Sequence, residues 1–128
     1  MKRIARTTRR GNAVLEAALV LPILLSLAFG TVEFGYFFYV KHCLQGAARQ
    51  GVRAAIPADS TTADITTAVS GAMTLYGLQN SGYTCTTTSD TTNVTVTVQC
   101  TWGAVGIRPL GLISSSKLVK SAAVMRKE

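Results

Sequence analysis

Apolar and polar positions divide the chain into a long unbroken apolar run, a mixed helical stretch and a patterned second half. Ala17 to Val32 holds sixteen residues without a charge, and extension to Val40 gives twenty-four residues with one acid, Glu33. A hydrocarbon core of ~30 Å takes about 20 apolar residues as a helix, so this run predicts a transmembrane helix. Tyr36, Phe37, Phe38 and Tyr39 stand where it would leave the bilayer, a level that aromatic rings favour. The helix continues through Cys43–Ile56, weakened by Gly46 and Gly51, which allow close approach of another backbone, and Pro57 stops it. Arg49 and Arg53 share one face of this extension.

Ser60 or Thr61 then caps a second helix whose stripe is Ile65, Val69, Ala72, Met73 and Tyr76, with Gly77 at its C-terminal end. Asn93 to Trp102 alternates strictly: Val94, Val96, Val98, Cys100 and Trp102 share one face, and Thr95, Thr97, Gln99 and Thr101 the other. This predicts a half-buried strand. Tyr83, Cys85 and Thr87 mark its hairpin partner across a turn at Ser89–Asn93, and Lys117–Arg126 supplies a third strand. The expected fold is α+β: a long N-terminal transmembrane helix, then a small antiparallel sheet packed on the second helix. Expected segments are a leader at 1–11, a membrane and continuing helix at 12–56, and an outer α+β domain at 57–128.

Charge orients this arrangement. Of thirteen Lys and Arg in the 128 residues, Lys2, Arg3, Arg6, Arg9 and Arg10 lie in the first ten, leaving eight basic against six acidic residues elsewhere. The basic excess is a tail and not a surface stripe, which argues against nucleic acid as a partner. Positive-inside bias puts the N-terminus in the cytoplasm and the chain beyond residue 41 outside. One histidine, no Gly-rich phosphate loop and no acid–base–nucleophile set point away from an enzyme, a metal, a cofactor or a small-molecule substrate. Cys85 and Cys100, on neighbouring strands outside the cytoplasm, are expected to form a disulfide, with Cys43 left over. Glu33, ~25 Å along a helix from Glu16, is expected to be solvated or paired with Lys41. Pro22 removes a helix hydrogen bond and can kink the span.

Glu16 is the anomaly, a carboxylate at the start of the apolar run where charge is costly without a partner. Arg9-Arg10-Gly11-Asn12-Ala13-Val14-Leu15-Glu16 and the helix after it resemble the class III signal of type IV pilins. With Leu21-Pro22, the segment Gln45–Ala55 and the closing Ala122–Arg126, the chain resembles more narrowly the TadE-like pseudopilins of the tight-adherence (Tad, Flp-type) pilus system.

That resemblance implies a pilin-like fold in the inner membrane and cleavage by a prepilin peptidase between Gly11 and Asn12, with Arg9 and Arg10 holding the precursor at the cytoplasmic face. It also implies that Glu16, then the fifth residue, pairs with the Asn12 amine of a neighbouring subunit as other Tad pilins pack beside it in a structure for adhesion. Two other readings stay open: a single-pass membrane-anchored binding module unrelated to pili, and a domain exported by signal cleavage after the helix.

Overall fold

A computed structural model describes residues 8–127, with side chains from Gly11 onward, so residues 1–7 of the expected leader and the side chains of Arg9 and Arg10 lie outside what is described. Its elements are α1 (Thr8–Ala54), α2 (Thr62–Leu75), β1 (Thr84–Ser89), β2 (Asn93–Thr101), the single turn α3 (Trp102–Val105) and β3 (Leu118–Arg126). The second helix and the three strands match expectation to within a residue or two, α1 begins four residues before the expected 12, α3 is an addition, and the fold is α+β.

Helix α1 runs 47 residues, ~70 Å at 1.5 Å per residue. Pro22 lies inside it without ending it. The termination comes instead before Pro57, whose ring disfavours helical backbone in the residue preceding it. Helix α2 is closed at both ends by local chemistry. Thr61 is its N-cap, and a reciprocal capping box joins the Thr61 hydroxyl and backbone N–H to Asp64. At the other end Gly77 takes φ 71°. Its N–H then reaches the Thr74 carbonyl at 3.0 Å, and the N–H of Leu78 reaches that of Met73 at 2.8 Å. This is the Schellman arrangement, sealed by contact-forming apolar residues, since Leu78 and Met73 are both buried.

The three strands form one antiparallel sheet in the order β1-β2-β3. Ser89 stands opposite Val94, and the Asp90 N–H closes the turn on the Asn93 carbonyl at 2.8 Å. Val94, Val96, Val98 and Cys100 of β2, with Val119 and Ser121 of β3, form the buried face. The expectation that this sheet lies on the second helix is corrected: β2 and β3 pack on α1, and α2 meets the sheet at β1. The reason is shape. The α1 face from Val40 to Ala55 carries Ala47, Ala48, Gly51 and Ala55 between larger residues, so α2 and the sheet can both approach it closely. A Cβ on Gly51 would fall 2.7 Å from Val69 Cγ2 of α2 and 3.0 Å from Val96 Cγ1 of β2. Gly46 likewise makes room for the Tyr76 ring, so these two glycines admit side chains and not another backbone. Trp102 is fully buried and tilts against Tyr36 and Phe37, with ring centroids 5.9 and 5.3 Å apart.

The expected Cys85–Cys100 bond is not formed, and Cys43, Cys85 and Cys100 are all free thiols. Strand register is the physical reason. Cys85 faces Val98, which makes Cys100 its diagonal neighbour two residues along. Diagonal neighbours stand about 7–8 Å apart, beyond the usual span of a disulfide. Burial pushes the thiols of Cys85 and Cys100 up from their ordinary value, which keeps them protonated.

Two glycines test the packing. Gly51→Val is expected to destabilise the domain by about 1–3 kcal/mol through overpacking. Gly71→Ala, on α2 with nothing within 4 Å of a new Cβ, is expected to stabilise it by about 0.5–1 kcal/mol. Thermal unfolding of the detergent-solubilised protein measures both. The cap sets a pH dependence. The Thr61 hydroxyl, then its backbone N–H, hold the Asp64 carboxyl below its ordinary value. That stabilisation is full above the unfolded value of about 3.9 and is lost as pH falls through the lower folded value. Exchange protection at the start of α2, corrected for intrinsic rates, should stay flat from pH ~7 to ~5 and fall only in acid.

Candidate functional site

Exposure along α1 changes at one point. Every residue from Gly11 to Phe29 is exposed, including Leu15, Leu19, Ile23 and Leu27 at 62–69%. These nineteen positions cover ~28 Å of helix, close to the thickness of a bilayer's hydrocarbon. A contiguous apolar surface of this extent marks an interaction site. Its polar groups are handled within the helix. Ser26 Oγ donates to the Pro22 carbonyl at 2.7 Å, and Thr31 Oγ1, one turn further, to Leu27 at 2.9 Å. Glu16 is the one charged side chain between Gly11 and Phe29, and it makes no hydrogen bond among the described residues. From Gly30 onward one face is covered, at Gly30, Glu33, Val40, Leu44, Ala47 and Gly51, with steps near multiples of the helical repeat.

Glu33 stands just past that change and is fully buried. Its Oε1 accepts the Ile113 N–H at 2.8 Å and its Oε2 the Leu110 N–H at 3.3 Å. Both donors belong to the connector between α3 and β3, which turns at Gly111 with φ 66°. The expectation of a solvated or Lys41-paired Glu33 is therefore corrected. Lys41 is exposed, and its carbonyl accepts Ser121 Oγ at 3.1 Å. Backbone donors 77 and 80 residues away leave no side-chain signature, so sequence reasoning could not have found them. The one available signal was a lone carboxylate following an uncharged run. The clamp also draws the connector's apolar tip onto α1, where Leu112 Cδ1 lies 3.6 Å from the Cβ position of Gly30.

The other expected residues fall into two groups. Gly11, Asn12, Glu16 and Pro22 lie along the exposed segment, with Glu16 just over one turn from Gly11. Cys85 and Cys100 are in the hairpin and take no part in this surface.

The TadE-like protein family matches residues 11–53. Over this segment the chain is similar to that family. The match starts at Gly11, takes in the whole exposed apolar helix and its buried continuation, and stops one residue short of the end of α1. It covers about a third of the chain and leaves α2 and the sheet outside. No curated protein and no solved structure matches the chain. The TadE-like similarity thus rests on the helix that carries Glu16, Pro22 and Glu33.

Glu33→Ala removes the acceptor of two connector amides. Hydrogen exchange of the Leu110 and Ile113 N–H groups should speed up markedly, while α2 amides keep their protection. Unchanged exchange at 110 and 113 would refute the clamp.

Proposed function

We propose that this chain is a pseudopilin-type component of a tight-adherence pilus assembly system. The coarser part, association with a Tad pilus system, draws on the TadE-like match to residues 11–53. The observation that carries the finer part is the bilayer-length exposed helix with its one carboxylate five residues after Gly11. In this reading α1 anchors the precursor in the inner membrane, N-terminus in the cytoplasm, because the basic residues gather before the span. A prepilin peptidase hydrolyses the Gly11–Asn12 bond at the cytoplasmic face, where Arg9 and Arg10 hold the precursor. Hydrolysis frees an α-amine on Asn12 that is cationic at neutral pH.

The exposed helix then exchanges lipid for the helices of other Tad pilins. Association of this kind comes from van der Waals contact and interhelical polar bonds, because lipid tails are as apolar as leucine. A Glu16 carboxylate at that depth is costly until paired, and the Asn12 amine of a neighbour neutralises both charges. Partner choice therefore rests on matching Glu16 with an amine at the same level. Pro22 leaves one carbonyl of the span without its helical donor, a group that a neighbouring helix can satisfy. The domain built on the second half of α1 stands in the periplasm and meets partner pilins or a surface for adhesion.

The second reading, a single-pass anchored binding module, draws on the end of the family match at residue 53, which leaves α2 and the sheet outside it. Processing separates the two. Intact mass and N-terminal sequencing of the membrane-fraction protein should show a chain beginning at Asn12. Gly11→Val should keep the leader and abolish incorporation into pili. Glu16→Gln should reduce incorporation with the helix still membrane-bound. A chain that begins at Met1 in cells with active peptidase would leave the anchored module standing.

A further inference from the structure

The connector between α3 and β3 carries a feature that helix packing leaves unused. Residues 106–113 read Gly-Ile-Arg-Pro-Leu-Gly-Leu-Ile. Ile107, Leu110 and Leu112 are 54, 40 and 58% exposed. The connector from Gly106 to Lys117 has no acid, and it holds Arg108 and Lys117, both exposed. Its level is set by contacts. Leu112 sits beside Gly30, and the Leu110 and Ile113 amides are bound to Glu33. These are the positions where the bilayer-length exposed stretch of α1 ends. An open, mainly apolar groove lies between Leu112 and the α1 residues Leu27, Gly30 and Phe34.

From this placement we infer that the 106–113 connector is a second membrane-contacting element. Its leucine tip lies in the outer face of the same bilayer that α1 crosses, with a lipid acyl chain in the groove beside Gly30. The inference rests on the reading of α1 as a membrane span. Irregular backbone at that depth is tolerated only where its N–H groups are satisfied, and Glu33 supplies acceptors for two of them. The same bonds stabilise a carboxylate that has no cationic partner among the described residues. Arg108 and Lys117 can extend toward anionic headgroups while the apolar side chains between them enter the acyl boundary. The domain is then held against the membrane at two points, which fixes its tilt relative to α1 and its neighbours.

The test uses the full chain in vesicles of phosphatidylethanolamine and phosphatidylglycerol. A genetically encoded fluorescent amino acid replaces Leu24, Leu75, Leu110 or Leu112 in turn. Lipids bearing shallow or deep nitroxides and aqueous iodide serve as quenchers. Expected are deep-nitroxide quenching at 24, iodide quenching alone at 75, and shallow-nitroxide quenching with loss of iodide access at 110 and 112. If 110 and 112 stay open to iodide while 24 is quenched by lipid, the connector stands in water and the inference fails with the span intact. If 24 is open to iodide, the span reading fails and takes the inference with it. Shielding of 110 and 112 from both quenchers would mean that protein, such as a second copy, covers the tip, and would overturn the lipid assignment. Glu33→Gln should abolish the shallow quenching at 112 and leave that at 24 unchanged. Persistence at 112 would overturn the role given to the clamp.

Discussion

The domain depends on one surface, the face of α1 from Val40 to Ala55. A three-stranded sheet and a fourteen-residue helix have little to bury against each other, and so small an assembly is marginal without a larger partner. The second half of α1 supplies that partner and sits at the centre of the core, between α2 and the strands. Its small residues matter as much as its apolar ones. Gly51 brings α2 and β2 within contact of the same helical turn, and Ala47 and Ala48 keep the neighbouring turn narrow. Anchor and domain are therefore a single mechanical unit, because a force on the N-terminal half of α1 passes directly into the core.

With its N-terminal half read as a membrane span, one helix serves two solvents, and the change between them has to be built. From Gly11 to Phe29 its side chains are bare, and the Ser26 hydroxyl bonds backward to the preceding turn. Beyond Gly30 one side is covered by protein. Glu33 stands at the change, and among the described residues its charge is compensated by backbone N–H groups and by no counter-ion. That choice suits the place. A salt bridge would put a second long charged side chain near hydrocarbon, whereas amide donors bring the connector with them. The Tyr36, Phe37 and Trp102 cluster follows on the domain side, so the aromatic group expected at the membrane boundary is in part a piece of the core.

Sequence reasoning was most accurate where the deciding forces were local. Thr61 as the cap of α2, Gly77 after its last turn and the valine alternation of β2 each fixed backbone conformation through neighbours a few residues away. The third strand, expected at Lys117–Arg126, runs from Leu118 to Arg126. The errors have a common cause. The disulfide expectation needed Cys85 directly opposite Cys100, and a hairpin turn of a different length would have produced that. The actual turn sets Ser89 against Val94 and so Cys85 against Val98. Glu33 was assigned to water or Lys41 because sequence displays side-chain charges but not the carbonyls and amides of distant loops.

The sequence alone therefore determined the elements and the exposed character of the N-terminal helix. An uncharged run of that length cannot be covered by the residues that follow it, and Glu16 is conspicuous at its start. The tertiary structure decided which surface the sheet rests on, where the bare part of α1 ends, and what Glu33 does. Those outcomes depend on contacts between residues tens of positions apart, selected by side-chain volume and by the level at which a connector crosses the helix. Local periodicity carries information on neither.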